Sequence, residues 1–107
     1  MSDIQIPDPK TLGKALFETV KETCSSNIYC IQKYRYFDEA LFFVKEAIER
    51  ATGEKLPDDW MDYAKALTSK LAEDNNRGWD EFEEAYREAY NEWMKSQKNT
   101  KVPDATS

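Results

Sequence analysis

The chain has no histidine, only two cysteines, three glycines and four prolines in 107 residues. Without histidine, neither a Ser-His-Asp nor a Cys-His nucleophile can be assembled, and no imidazole stands ready as a base near neutral pH. Structural zinc takes four Cys or His ligands, and Cys24 and Cys30 are the only candidates, so a thiolate zinc site is not expected. The glycines stand isolated at 13, 53 and 78, which removes any Gly-rich phosphate loop. No window approaches eighteen consecutive apolar residues, so no membrane span is expected. The segment Met1 to Pro7 lacks the basic start and apolar run of a secretory signal.

Two cysteines this close are not a disulfide framework. On one shared helix they would lie about 240° apart around the axis. They therefore read as two reduced, partly buried thiols in a cytoplasmic protein. Carboxylate catalysis and oxygen-ligated metals need only Asp and Glu, so these chemistries stay open in principle. The run from Glu73 to Glu84 imitates a calcium loop, with Gly78 sixth and Glu84 twelfth. Arg77, however, occupies the fifth position, where an oxygen ligand belongs, and would repel the ion. No catalytic residue, cofactor or metal ligand is assigned.

What the chain does have is apolar material in helical register. Hydrophobic residues make up 40% of it and aromatics 13%, enough for one domain to fold around a core. Residues 1–8 look extended. Asp8-Pro9 then reads as an N-cap followed by proline at the first helical position. Leu12, Leu16, Val20 and Cys24, with Phe17 beside them, form the stripe of a helix over 9–24. Residues 28–37 carry strand-like β-branched and aromatic side chains. No pairing strand exists elsewhere in the sequence, so a short helix or helical turn is expected there.

From Phe37 through Ala51 the apolar positions fall within an arc of about 120° on a helical wheel, and Gly53 follows as a stop. Leu56-Pro57-Asp58 reads as a linker with an N-cap. Trp60, Tyr63, Ala64, Leu67 and Leu71 mark another helix, broken by residues 75–78. Asp80 and Glu83 form a plausible capping pair for a last helix with the stripe Phe82, Ala85, Tyr86, Ala89 and Trp93. The expected architecture is an all-α bundle of four to five amphipathic helices over residues 9–95, with a flexible polar tail at 96–107. Trp60, Trp79 and Trp93 are expected to be the largest core contributors.

Charge is unevenly spread. The chain carries a net charge of −6, with a net of −7 over residues 54–93 and nearly balanced charge before them. Glu81, Glu84, Glu88 and Glu92 lie along one helical ridge at three- and four-residue spacing, where like charges repel. A basic partner surface would relieve that repulsion and speed association. Phe42 projects away from the apolar arc of its helix, among Glu39, Lys45, Glu46 and Glu49. It is either a binding anchor or, as expected more often, covered by the Tyr34–Phe37 stretch. Tyr34 and Tyr36, interleaved with Lys33 and Arg35, could stack bases, but two basic residues on an acidic protein make nucleic acid an unexpected partner.

These features point to a small non-enzymatic protein–protein interaction module. In size and charge it resembles inhibitor and immunity-type proteins that occupy a basic, nucleic-acid-binding surface. The candidate contact residues are Glu81, Glu84, Glu88 and Glu92, with Phe42, Tyr34 and Tyr36. An alternative is a helical adaptor or regulatory subunit that binds through the aromatic 29–43 region. A carboxylate-dependent enzyme or metal-binding protein is the rival from another class.

Overall fold

A computed structural model describes the backbone of residues 5–106 and the side chains of residues 5–97. The chain is all-α, and no strand occurs among the described residues. The elements are α1 (Pro9–Thr23), α2 (Ile28–Lys33), α3 (Phe37–Ala40), a 3-10 turn (Leu41–Phe43), α4 (Val44–Thr52) and α5 (Met61–Thr106).

Local chemistry sets the early boundaries. Asp8 caps α1 by accepting hydrogen bonds from the amides of Lys10 and Thr11, with Pro9 at the first helical position as expected. Asn27 does the same for α2 through the amides of Tyr29 and Cys30. Gly53 ends α4 with φ +77°, in the left-handed region.

Three boundaries differ from expectation. The helix anticipated over Phe37–Ala51 is interrupted by the 3-10 turn, where Phe43 adopts φ −101° and ψ 18° and its ring packs edge-on against Tyr34 at 5.0 Å. Second, α5 begins at Met61, so Asp58 is not its cap; the first bond of the helix runs from the Ala64 amide to the Trp60 carbonyl. Third, α5 is two arms around non-helical backbone at Glu73, Asp74, Asn75 and Asn76, the last three left-handed with φ of 56°, 58° and 66°. Short polar side chains tolerate that region. Gly78 belongs to the second arm instead, where a Cβ would lie 2.7 Å from the Cα of Leu71. Asp80 and Glu83 therefore stand inside a helix, and Glu83 pairs forward with Arg87 at 2.8 Å rather than back to a cap. Over the polar tail expected at 96–107 the α5 backbone continues as far as Thr106, and the side chains from residue 98 on lie outside the described residues.

The cysteines also depart from expectation. They do not share a helix: Cys24 caps the end of α1, Ser25 and Ser26 turn the chain with positive φ, and Cys30 lies in α2. That turn brings their Cα atoms to 5.5 Å, and the two sulfurs form a disulfide.

At the centre is α1, packed most extensively on α5 and next on α4. Leu12, Ala15, Leu16, Phe17 and Val20 are buried between these neighbours. Gly13 permits the approach to the second arm of α5: a Cβ there would meet the Phe82 carbonyl oxygen at 2.5 Å and Ala85 Cβ at 2.7 Å. The largest fully buried side chains are Tyr86, Phe17 and Phe82, while Trp60, Trp79 and Trp93 are half-buried and pack against the core from its rim. Phe82 lies in a ring cluster, edge-on to Phe37 at 4.7 Å and stacked with Trp79 at 5.9 Å. The long indoles thus border the core rather than fill it.

Buried polar atoms are matched to partners. The Tyr86 hydroxyl donates to the Tyr34 carbonyl, and burial holds that phenol well above its ordinary pKa. Thr19 donates to the Ala15 carbonyl at 2.8 Å and accepts from the Arg50 guanidinium, which also pairs with Glu22. Arg50 thereby ties α4 to the polar end of α1. No buried side-chain nitrogen or oxygen among the described residues lacks a partner.

Candidate functional site

The 29–43 segment is built on α2, a short turn, α3 and the 3-10 turn. Its apolar anchors point inward: Ile31, Phe37 and Ala40 are buried. Tyr34 is half-buried and serves the fold, because its carbonyl accepts the Tyr86 hydroxyl and its ring packs on Phe43. Phe42 is 81% exposed, so the expected cover by Tyr34–Phe37 does not form. The interrupting 3-10 turn explains this. It commits Phe43 to Tyr34, and Phe42 meets the Phe43 ring edge-on at 5.2 Å between centroids. Asp38, Glu39 and Glu46 are exposed along the same stretch.

Tyr36 is 58% exposed. The Arg35 guanidinium sits over its ring at 4.9 Å and donates to its hydroxyl at 2.9 Å. Tyr29, at 78% exposure, and Met61 are further exposed apolar groups that the sequence reading did not single out. Tyr29 sits at an ordinary helical position in α2, so only its surroundings reveal its exposure.

The acidic ridge on the second arm of α5 is divided by its neighbours. Glu81 accepts from Arg77 at 3.3 Å. Glu84, Glu88 and Glu92 are exposed and, among the described residues, have no ion-pair partner within 4.0 Å. Glu88 and Glu92 nevertheless face a groove that they share with Lys14 and Lys21 of α1, over a floor that includes Phe17 and Trp93. Lys21 is already paired with Glu18 of its own helix at 3.2 Å, so Lys14 is the groove's one lysine not offset by that pair, and it moderates the negative field of the lower ridge.

A separate shallow cleft of about 440 Å3 is lined by Arg35, Tyr36, Arg87, Tyr90 and Asn91. It joins the turn after α2 to the second arm of α5, more than fifty positions away in sequence. Burial raises the Tyr90 pKa, and the nearby Arg35 charge opposes that rise. Among the described residues, no group of three or more Cys, Asp or Glu side chains could hold a metal ion. No helix of the described residues is long and apolar enough to cross a membrane.

Compared with models of protein families, with curated proteins and with solved structures, the chain matches none of them.

Proposed function

We propose that this chain is a small non-enzymatic interaction module that docks a partner protein through the surface centred on Phe42. One observation carries the reading: a phenylalanine 81% exposed on a helical turn, with three carboxylates (Asp38, Glu39 and Glu46) and one ammonium (Lys45) three or four positions from it. Large aromatics with little cover are the residues that dominate protein interfaces, and their polar rims set partner choice. The acidic rim calls for a partner with an apolar pocket bordered by Lys or Arg. Phe42 supplies the anchoring area and the carboxylates steer the encounter.

Affinity capture with the wild-type chain and with Phe42→Ala side by side tests this, followed by calorimetry on the purified partner. Truncating an anchor of this kind weakens binding by about thirtyfold or more. Identical captured sets, or equal affinities for the purified partner, would dismiss Phe42 as the anchor.

A second reading has its own support. Glu84, Glu88 and Glu92 form no ion pair within the described residues, so the final helix could occupy a basic, nucleic-acid-binding surface as an inhibitor does. That version requires binding to weaken steeply with salt and with Glu84→Lys plus Glu88→Lys, and to survive Phe42→Ala. Lys14, which shares a groove with Glu88 and Glu92, counts against it, whereas Lys21 in that groove is offset by Glu18. The working compartment belongs to the same proposal. The low cysteine count argues for the cytoplasm, whereas the Cys24–Cys30 bond argues for an oxidising setting, and the specific bond carries more weight.

A further inference from the structure

We infer that the cleft between Arg35 and Arg87 is a binding site for a phosphate monoester carried on a small ring-bearing group. The site is separate from the Phe42 surface and does not depend on that reading.

The first support is charge accounting. The protein has four arginines in a chain with 21 acidic residues. Arg50, Arg77 and Arg87 each pair with a glutamate: Glu22, Glu81 and Glu83. Among the described residues, Arg35 pairs with no carboxylate. Its guanidinium rests instead on the ring and hydroxyl of Tyr36. A planar cation held by a stack and one hydrogen bond keeps its other N–H donors free, with much of its ordering already achieved.

The lining gives the second support. Two guanidiniums, two phenols and a carboxamide surround the cleft, and no Asp or Glu lines it. Every one of these side chains can donate a hydrogen bond. Arg87 keeps N–H donors beyond the one it gives Glu83 at 2.8 Å, and together with Arg35 the donors of this concavity favour an anion over a neutral ligand. Five such residues exceed what the two oxygens of a carboxylate accept, whereas the three terminal oxygens of a phosphate monoester use them better. Tyr90, and the side of the Tyr36 ring that Arg35 leaves open, supply aromatic lining for the organic group. A volume of about 440 Å3 falls within the range of small-molecule sites.

The test is a nuclear magnetic resonance titration of the full chain with phenyl phosphate, inorganic phosphate and uncharged phenol. It follows the Arg35 and Arg87 side-chain N–H signals and the ring signals of Tyr36 and Tyr90. Phenyl phosphate is expected to give saturable shifts of all four. Inorganic phosphate should move the arginine signals with about tenfold weaker affinity, and phenol should move none of them. Arg35→Gln should weaken phenyl phosphate binding about tenfold or more. Arg77→Gln, which removes the same charge outside the cleft, should leave it unchanged, and both variants should keep the wild-type circular dichroism spectrum. The inference is overturned by no saturable shift at Arg35 up to about 20 mM phenyl phosphate, a concentration that would reveal even millimolar binding. Equal losses in the two variants would overturn it as well, since they would reduce the effect to net charge.

Discussion

Replacing Gly13 by alanine sets two well-known effects against each other, and the geometry decides the sign. Within a helix, Gly→Ala is normally favourable by about 1 kcal/mol, because alanine restricts the unfolded chain and suits the helix. Here the added methyl would fall 2.5 Å from the Phe82 carbonyl oxygen, 2.7 Å from Ala85 Cβ and 3.0 Å from the Tyr86 amide nitrogen. Comfortable contact between such atoms is about 3.5–4.0 Å, so α1 and the second arm of α5 would have to separate by about 1 Å. Two of the three obstructing atoms are backbone and cannot rotate away. The movement loosens the most extensive helix contact in the molecule, where Phe17, Phe82 and Tyr86 are buried. Overpacking costs about 1–3 kcal/mol, and with immovable backbone in the way the upper part of that range, about 2–3 kcal/mol, applies; the net loss after the helix gain is about 1–2 kcal/mol. Thermal unfolding followed by circular dichroism should show a Tm lower by about 5–15 °C. Gly13→Ala/Ala85→Gly should recover only part of the loss, since the Phe82 carbonyl remains in place. An unchanged or higher Tm for Gly13→Ala would refute the reasoning, because helix propensity would then outweigh the contact.

The Cys24–Cys30 bond closes a short loop, so reduction or Cys30→Ser should lower unfolding free energy by about 2 kcal/mol, readable in urea titrations with and without reductant. Tyr86→Phe strips the buried Tyr34 carbonyl of its donor and should cost about 1–2 kcal/mol in the same assay. Burial raises the Tyr86 pKa above its ordinary 10.0, so the folded state keeps a proton that the unfolded chain releases. The resulting stability is complete below pH 10.0 and declines as pH rises beyond it; Tyr86→Phe should flatten that alkaline decline, and an identical slope in both proteins would contradict the assignment. Phe42→Ala should change unfolding free energy by less than about 0.5 kcal/mol, since so exposed a ring stabilises little; a larger loss would mean that Phe42 serves the fold rather than a partner.

How far the sequence reached differs from element to element. The capped start at Asp8-Pro9, the Leu12/Leu16/Val20 stripe and the Gly53 stop were all legible, because caps and 3.6-residue periodicity act within one or two turns. The break before the last helix was legible as an event but not in register. The local pattern offered residues 75–78 as the break; the non-helical backbone runs over residues 73–76, so Asn75 and Asn76 belong to it, while the bare Cα of Gly78 is used against Leu71 in the second arm. Of the candidate contact residues, Phe42 and Tyr36 are exposed, whereas Tyr34 is half-buried and braces the fold. Nothing in the spacing of Arg35 and Arg87 signals that they share a cleft.

The order of amino acids by itself determined that this chain is helical, where α1 begins and α4 ends, and that its excess negative charge lies toward the C-terminal half. Those properties depend on neighbours within a few positions, and helical geometry converts spacing directly into a buried face. Only the tertiary structure decided which aromatics fill the core and which border it, that Cys24 at the end of α1 meets Cys30 in α2, and that Lys14 of α1 shares a groove with Glu88 and Glu92 of α5. It also decided that Arg35 faces a donor-lined cleft. Such contacts depend on how the helices cross and turn, and that is set by close packing at points such as Gly13 against Ala85 rather than by any periodicity along the chain.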